Sequence, residues 1–141
     1  MRELIRWLRD VERLAGSCYR DASKSVVDHN PSLAASLRKL AEEEGWHYRV
    51  MSRALDSLHH LETQPFSAIQ RDDRATKKID SLFMSLREAS QGRGMNVHRM
   101  AKLIVEVEIC EWNAVFLYVV AKLGTVLREF EEVASRMERH K

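Results

Sequence analysis

The chain has 141 residues, long enough to bury a core and short enough for one domain. Its 23 basic and 21 acidic residues leave a formal net charge of +2 with the signs interleaved, so charge selects neither nucleic acid nor an anionic membrane as a partner. Its two cysteines, Cys18 and Cys110, lie far apart, which excludes a disulfide framework and a four-cysteine metal module. Only two Pro and five Gly stand among plentiful Ala, Leu, Glu, Arg and Lys, a composition that predicts an all-α protein. Arg2, Glu3, Arg6, Arg9 and Asp10 interrupt any apolar start that could serve as a signal peptide. No stretch approaches the ~20 apolar residues of a membrane span, and the expected setting is cytoplasmic.

The first helix is predicted from about 2 to 28, because Ile5, Leu8, Val11, Ala15, Cys18, Ala22 and Val26 recur with helical period. Glu12 sits beside Val11 and one turn from Leu8 and Ala15, on the buried side, with Tyr19 on the same face. Taken alone, Glu12 is expected at the edge of the stripe and reaching water, since Glu is rarely buried. Asn30-Pro31-Ser32 opens the second helix, with Asn30 or Ser32 as cap and Pro31 in the first turn. That helix continues to about Leu61 and forms an antiparallel hairpin with the first.

The second helix carries the most informative segment, Leu40-Ala41-Glu42-Glu43-Glu44-Gly45-Trp46-His47. Glu44 and His47 are three residues apart and share one helix face. Leu33, Leu37 and Leu40 before them, and Met51, Ala54 and Leu58 after them, run the apolar stripe through the pair. A carboxylate turned inward beside an inward imidazole asks for a cation, because desolvation of an unpartnered carboxylate costs several kcal/mol or more. Adjacent His59 and His60 fall on different faces and read as surface residues, and His29 and His98 as loop or helix-end residues.

A long connection follows, with a short helix at about 74 to 89 from Ile79, Leu82, Phe83 and Leu86, closed by Gln91-Gly92-Arg93-Gly94. Such a connection can cross the length of a bundle. The third main helix is predicted from about 97 to 123, with Met100, Ala101, Ile104, Val115 and Tyr118 facing in and Glu108 and Glu111 in the same stripe. Trp112, Phe116, Val119 and Leu123 on its second side are too apolar for solvent, which predicts deeper burial or a homodimer interface. The last helix is expected from Gly124-Thr125 to the C-terminus, with Val126, Phe130, Val133, Ala134 and Met137 inward and His140 on that line.

Assembled, the inward polar set is Glu12, Glu44, His47, Glu108, Glu111 and His140. Together with Tyr19, the Glu-x-x-His spacing at 44 and 47, the Glu-x-x-Glu spacing at 108 and 111, and Arg139-His140-Lys141, this set resembles the rubrerythrin branch of the ferritin-like superfamily over essentially the whole chain. The resemblance implies a single ferritin-like four-helix bundle, residues 1–141, whose long crossover carries the short extra helix. In that family such residues bind two iron ions, and the centre reacts with peroxide or dioxygen. Mn is the alternative metal, since oxygen-rich ligands with one or two imidazoles suit Fe or Mn, and Zn is expected only as an adventitious occupant.

The resemblance also implies hydrogen bonds from Tyr19 and Tyr118 to the carboxylates, while the residues alone read equally well as core aromatics whose hydroxyls find any buried acceptor. The chain lacks the paired C-x-x-C motifs of a rubredoxin module, so electrons for any redox turnover must come from an external donor. Met137 stands where the family's fourth helix has Glu, and a thioether does not bridge hard cations. That departure gives the second reading: a ferritin-like bundle with an incomplete or mononuclear metal site, serving as a binding or assembly module.

Overall fold

A computed structural model describes residues 2–58, 73–91, 96–125 and 128–138, with the backbone alone at 73, 75, 111–113, 129, 134 and 136–138. The described residues form six α-helices and a 3-10 turn, with no strand: α1 (Arg2–Val26), α2 (Pro31–Leu58), α3 (Asp73–Gln91), α4 (Val97–Glu108), α5 (Glu111–Gly124), the turn Arg128–Phe130, and α6 (Glu131–Glu138). No helix among them is long and apolar enough to cross a membrane.

The α1/α2 hairpin is the spine of the molecule. Asn30 caps α2 by accepting the Leu33 amide at 3.0 Å, and Pro31 takes the first helical position, where a missing N–H costs nothing. The hairpin is pinned at both ends. Arg2 donates to the Leu58 carbonyl at 2.6 Å at one end, and Ser23 donates to the Ala34 carbonyl at 2.9 Å at the other.

Apolar side chains gather in two clusters along this spine. Val11, Ala15, Cys18, Tyr19, Ala22 and Val26 of α1 and Ala34, Leu37 and Ala41 of α2 pack with α3 and α4 in the first. Leu4, Ile5 and Leu8 of α1 and Val50 to Leu58 of α2 pack with α5 and Phe130 in the second. The change from one cluster to the other falls between Leu8 and Val11 on α1, between Ala41 and Val50 on α2, and between Cys110 and Phe116 across α4 and α5. Glu12, Glu44, His47 and Glu108 lie at or beside this level, so a polar layer interrupts the core.

The third main helix is not continuous, as the sequence pattern predicts, but broken at Ile109 and Cys110. Ile109 ends α4 with ψ near 6°, and Cys110 is extended, with φ −70° and ψ 154°. Their amides still bond to Val105 and Val107 carbonyls, at 3.0 and 3.1 Å. The break shifts the inward phase by about one residue, or about 100°. In α4 Met100, Ile104 and Val107 are buried; in α5 it is Phe116, Val119, Val120 and Leu123. Tyr118, which an unbroken stripe would place inside, is 46% exposed, with Lys122 Nζ 5.6 Å from its ring centroid.

Phe116, Val119 and Leu123 are thus core of this chain and not a subunit interface; the side chain of Trp112 is outside the described residues. Thr125 also differs from expectation. It closes α5, donating through Oγ1 to the Lys122 carbonyl at 2.7 Å, and α6 begins only after the 3-10 turn.

Candidate metal centre

Glu12 is presented by α1, and Glu44 and His47 by α2, at the polar layer between the two clusters. His47 Nδ1 lies 2.9 Å from Glu44 Oε2 and 3.3 Å from Glu12 Oε2. The side chains of Glu12, Glu44 and His47 are 0%, 4% and 16% exposed. Each offers a donor atom within 4.8 Å of the others, a group that can hold a metal ion. The i, i+3 spacing puts Glu44 and His47 on one face, and the neighbouring Glu42 and Glu43 are exposed.

The sequence rule that sends Glu12 to water is overturned: it is fully buried. Neither of its oxygens makes a hydrogen bond, although a buried polar group normally does, and its nearest charged neighbour is His47 Nδ1 at 3.3 Å. Two carboxylates and an imidazole therefore converge on a spot where one carboxylate has only a long ion-pair contact to compensate its burial.

The protonation pattern follows from that crowding. Burial raises the Glu12 carboxyl well above its usual range, the nearby Glu44 carboxylate adds to this, and His47 opposes it. For Glu44 burial pushes upward, but the close Glu12 carboxyl and His47 outweigh it and the net shift is downward. For His47 burial pushes downward, and the two carboxylates more than reverse that, raising it to about 10. Without a cation these shifts favour a proton on Glu12 and on His47 and ionisation of Glu44.

Two aromatic rings flank His47. The Phe116 ring centroid is 4.6 Å away and that of Trp46 is 5.4 Å away. The deeper burial that the sequence offers for Phe116 is what the structure shows. Both rings shield the imidazole, and the phase shift at the α4/α5 break is what delivers Phe116.

Glu108 stands apart from the three-donor group. Tyr19, fully buried, donates its hydroxyl to Glu108 Oε1, as the resemblance implies for Tyr19 and not as it implies for the exposed Tyr118. Burial raises Glu108, with the Tyr19 bond opposing and Glu44 adding, which shows that Glu108 feels the charge of the centre. Burial and the Glu108 charge likewise keep the Tyr19 hydroxyl protonated.

Glu111 opens α5 directly after the break, and its side chain lies outside the described residues, as does that of Met137. His140, His59 and His60 also lie outside them. His29 and His98 are exposed. Cys18 and Cys110 are buried, and burial raises the Cys18 thiol. Comparisons with protein-family models, with curated proteins and with solved structures returned no match.

Proposed function

We propose that the chain is a non-haem metal protein of the ferritin-like, rubrerythrin type, with its centre built on Glu12, Glu44 and His47. The observation that carries this reading is Glu12: a fully buried carboxylate with no hydrogen-bond partner, facing a second carboxylate and an imidazole. Such a group is costly unless a cation completes it. The donor chemistry, two carboxylates and one imidazole, favours Fe or Mn over Cu or a structural tetrahedral Zn.

In the full proposal Glu108, Glu111 and His140 complete a site for two Fe ions, and the protein is an oxidoreductase acting on peroxide or dioxygen, or an iron-oxidising protein. Bound there, a di-iron pair would supply the redox chemistry for that reduction. The chain's own residues bind, orient and shield. Glu12 and Glu44 provide the compensating negative charge, Tyr19 fixes the Glu108 carboxylate, and Phe116 and Trp46 keep water from one side of His47. Electrons come from an external donor. A homodimer is part of the proposal; among the described residues the exposed large apolar side chains are Val27, Met84, Val105, Ile109 and Tyr118.

A second reading has its own support. Glu108 is engaged by Tyr19 and lies outside the three-donor group, which favours a mononuclear site in a bundle serving as a binding or assembly module. Anaerobic loading with Fe(II), followed by peroxide, separates the two. The oxidoreductase reading predicts two ions per chain and fast oxidation by peroxide; a single ion without peroxide reactivity supports the second.

Metal uptake is expected to be strongly pH-dependent. His47, raised to about 10, holds a proton at neutral pH and must release it to bind a cation, and the raised Glu12 adds to the proton release. Competition titrations between about pH 6 and about pH 8 should show the logarithm of the affinity climbing with a slope of at least about one, with matching proton release. An affinity independent of pH would contradict the assigned protonation.

A further inference from the structure

We infer that Gly16 is a positioning residue for the metal centre: the lack of any side-chain atom beyond Cβ at this position lets α2 lie close enough to α1 for Glu44 and His47 to converge on Glu12. The inference rests on the metal reading above and extends it to a residue that supplies no donor atom.

Gly16 is buried, one turn beyond Glu12 on α1. A Cβ built there meets Glu44 Cβ at 3.4 Å, the Ala41 carbonyl oxygen at 3.5 Å and the Gly45 amide nitrogen at 3.9 Å. Every one of these atoms belongs to the stretch of α2 that carries Glu44. Two are main-chain atoms, which cannot swing aside as the end of a long side chain does. The flanking residues continue the theme, with Ala15 at 0% and Ala41 at 4% exposure.

Backbone conformation gives no other reason for this glycine, because none of the described glycines has a positive φ. Gly45 provides the contrast. A Cβ there meets only the flexible end of Arg49, at 3.7 Å.

The consequence is graded. Alanine at 16 reaches ordinary van der Waals distance and leaves the helices where they are. Valine adds carbons beyond the Cβ, where Glu44 and the α2 backbone already stand, and must push the turn bearing Glu44 outward. Ala22, fully buried in the same helix pair but further from the centre, offers the matching structural insult without that displacement.

The experiment compares the wild-type chain with Gly16→Ala, Gly16→Val, Gly45→Ala and Ala22→Val. Mn(II) affinity is read by competition with a fluorescent chelator, and the thermal midpoint is read on the metal-free protein. Gly16→Ala and Gly45→Ala should keep wild-type affinity. Gly16→Val should weaken Mn(II) binding by about 10–100-fold, the range seen when support of a metal ligand is lost. Ala22→Val should lower the midpoint yet keep the affinity. If Gly16→Val fails to fold, Gly16→Ser against Ala22→Ser carries the same comparison with a smaller step. A folded Gly16→Val or Gly16→Ser chain with wild-type affinity, or an Ala22 variant weakened equally, would overturn the role of Gly16. A wild-type chain that takes up no Mn(II) would instead overturn the metal reading, and this inference with it.

Discussion

Replacing Glu12 with methionine should give a chain that is more stable without metal and unable to hold one. The buried Glu12 oxygens lack hydrogen-bond partners, and an unsatisfied buried polar group costs about 1–3 kcal/mol. Methionine has a similar length, is flexible enough to fill the same space and needs no partner. Urea unfolding of the chelator-treated Glu12→Met chain should therefore show a gain of about 1–3 kcal/mol. The gain depends on pH with a definite sign. Because the folded Glu12 carboxyl is raised above 4.5, the native state keeps a proton that the unfolded chain releases, and wild-type stability is lost as pH rises through the folded value. The advantage of Glu12→Met is accordingly smallest in acid and grows with pH. Metal affinity should fall at least about 100-fold, since a ligand and its charge are both gone. A variant less stable than wild type at every pH would mean that Glu12 is a structural group and not one held in strain for a cation.

The His47→Ala chain should move the other way. His47 is the cation of the close pair with Glu44, at 2.9 Å, and removing one partner of a buried ionic group costs about 3–5 kcal/mol. Loss of packing against Phe116 adds to the deficit. The pH window follows from opposite shifts. The raised His47 contributes stability that is complete below 6.5 and lost as pH rises through about 10. The lowered Glu44 contributes stability present above 4.5 and lost as pH falls through its folded value. The deficit of His47→Ala is therefore greatest between 4.5 and 6.5 and shrinks on both sides. A pair of substitutions in one cluster with opposite effects on stability is the mark of a site completed by something outside the chain. An ordinary structural ion network would lose stability from both.

The helical period placed Glu12, Glu44 and His47 on inward faces because each lies within a regular, uninterrupted helix. Asn30-Pro31 announced the start of α2 for the same local reason. The break at Ile109 and Cys110 left no such trace. No glycine or proline marks it, and the β-branched Val105, Val107 and Ile109 weaken a helix only slightly. Its one-residue phase shift is what turned Tyr118 outward while Phe116, for which burial or an interface is equally readable from the sequence, went inward. Gly16 was invisible for another reason: its role lies in the distance between two helices, which no pattern within either one records. The burial of Glu12 was masked similarly, since the general scarcity of buried Glu says nothing of the partners that α2 brings to it.

The direct test is the metal content of the chain purified without chelator, set beside that of Glu44→Ala. Glu44 is chosen because it is the carboxylate closest to His47, at 2.9 Å. The expected result is Fe or Mn at about two ions per chain for the complete centre, or about one for a mononuclear site, and loss of metal in the variant. Wild-type protein that carries no metal even after anaerobic Fe(II) loading would contradict the account, and Glu12, Glu44 and His47 would then be a proton-sharing cluster alone.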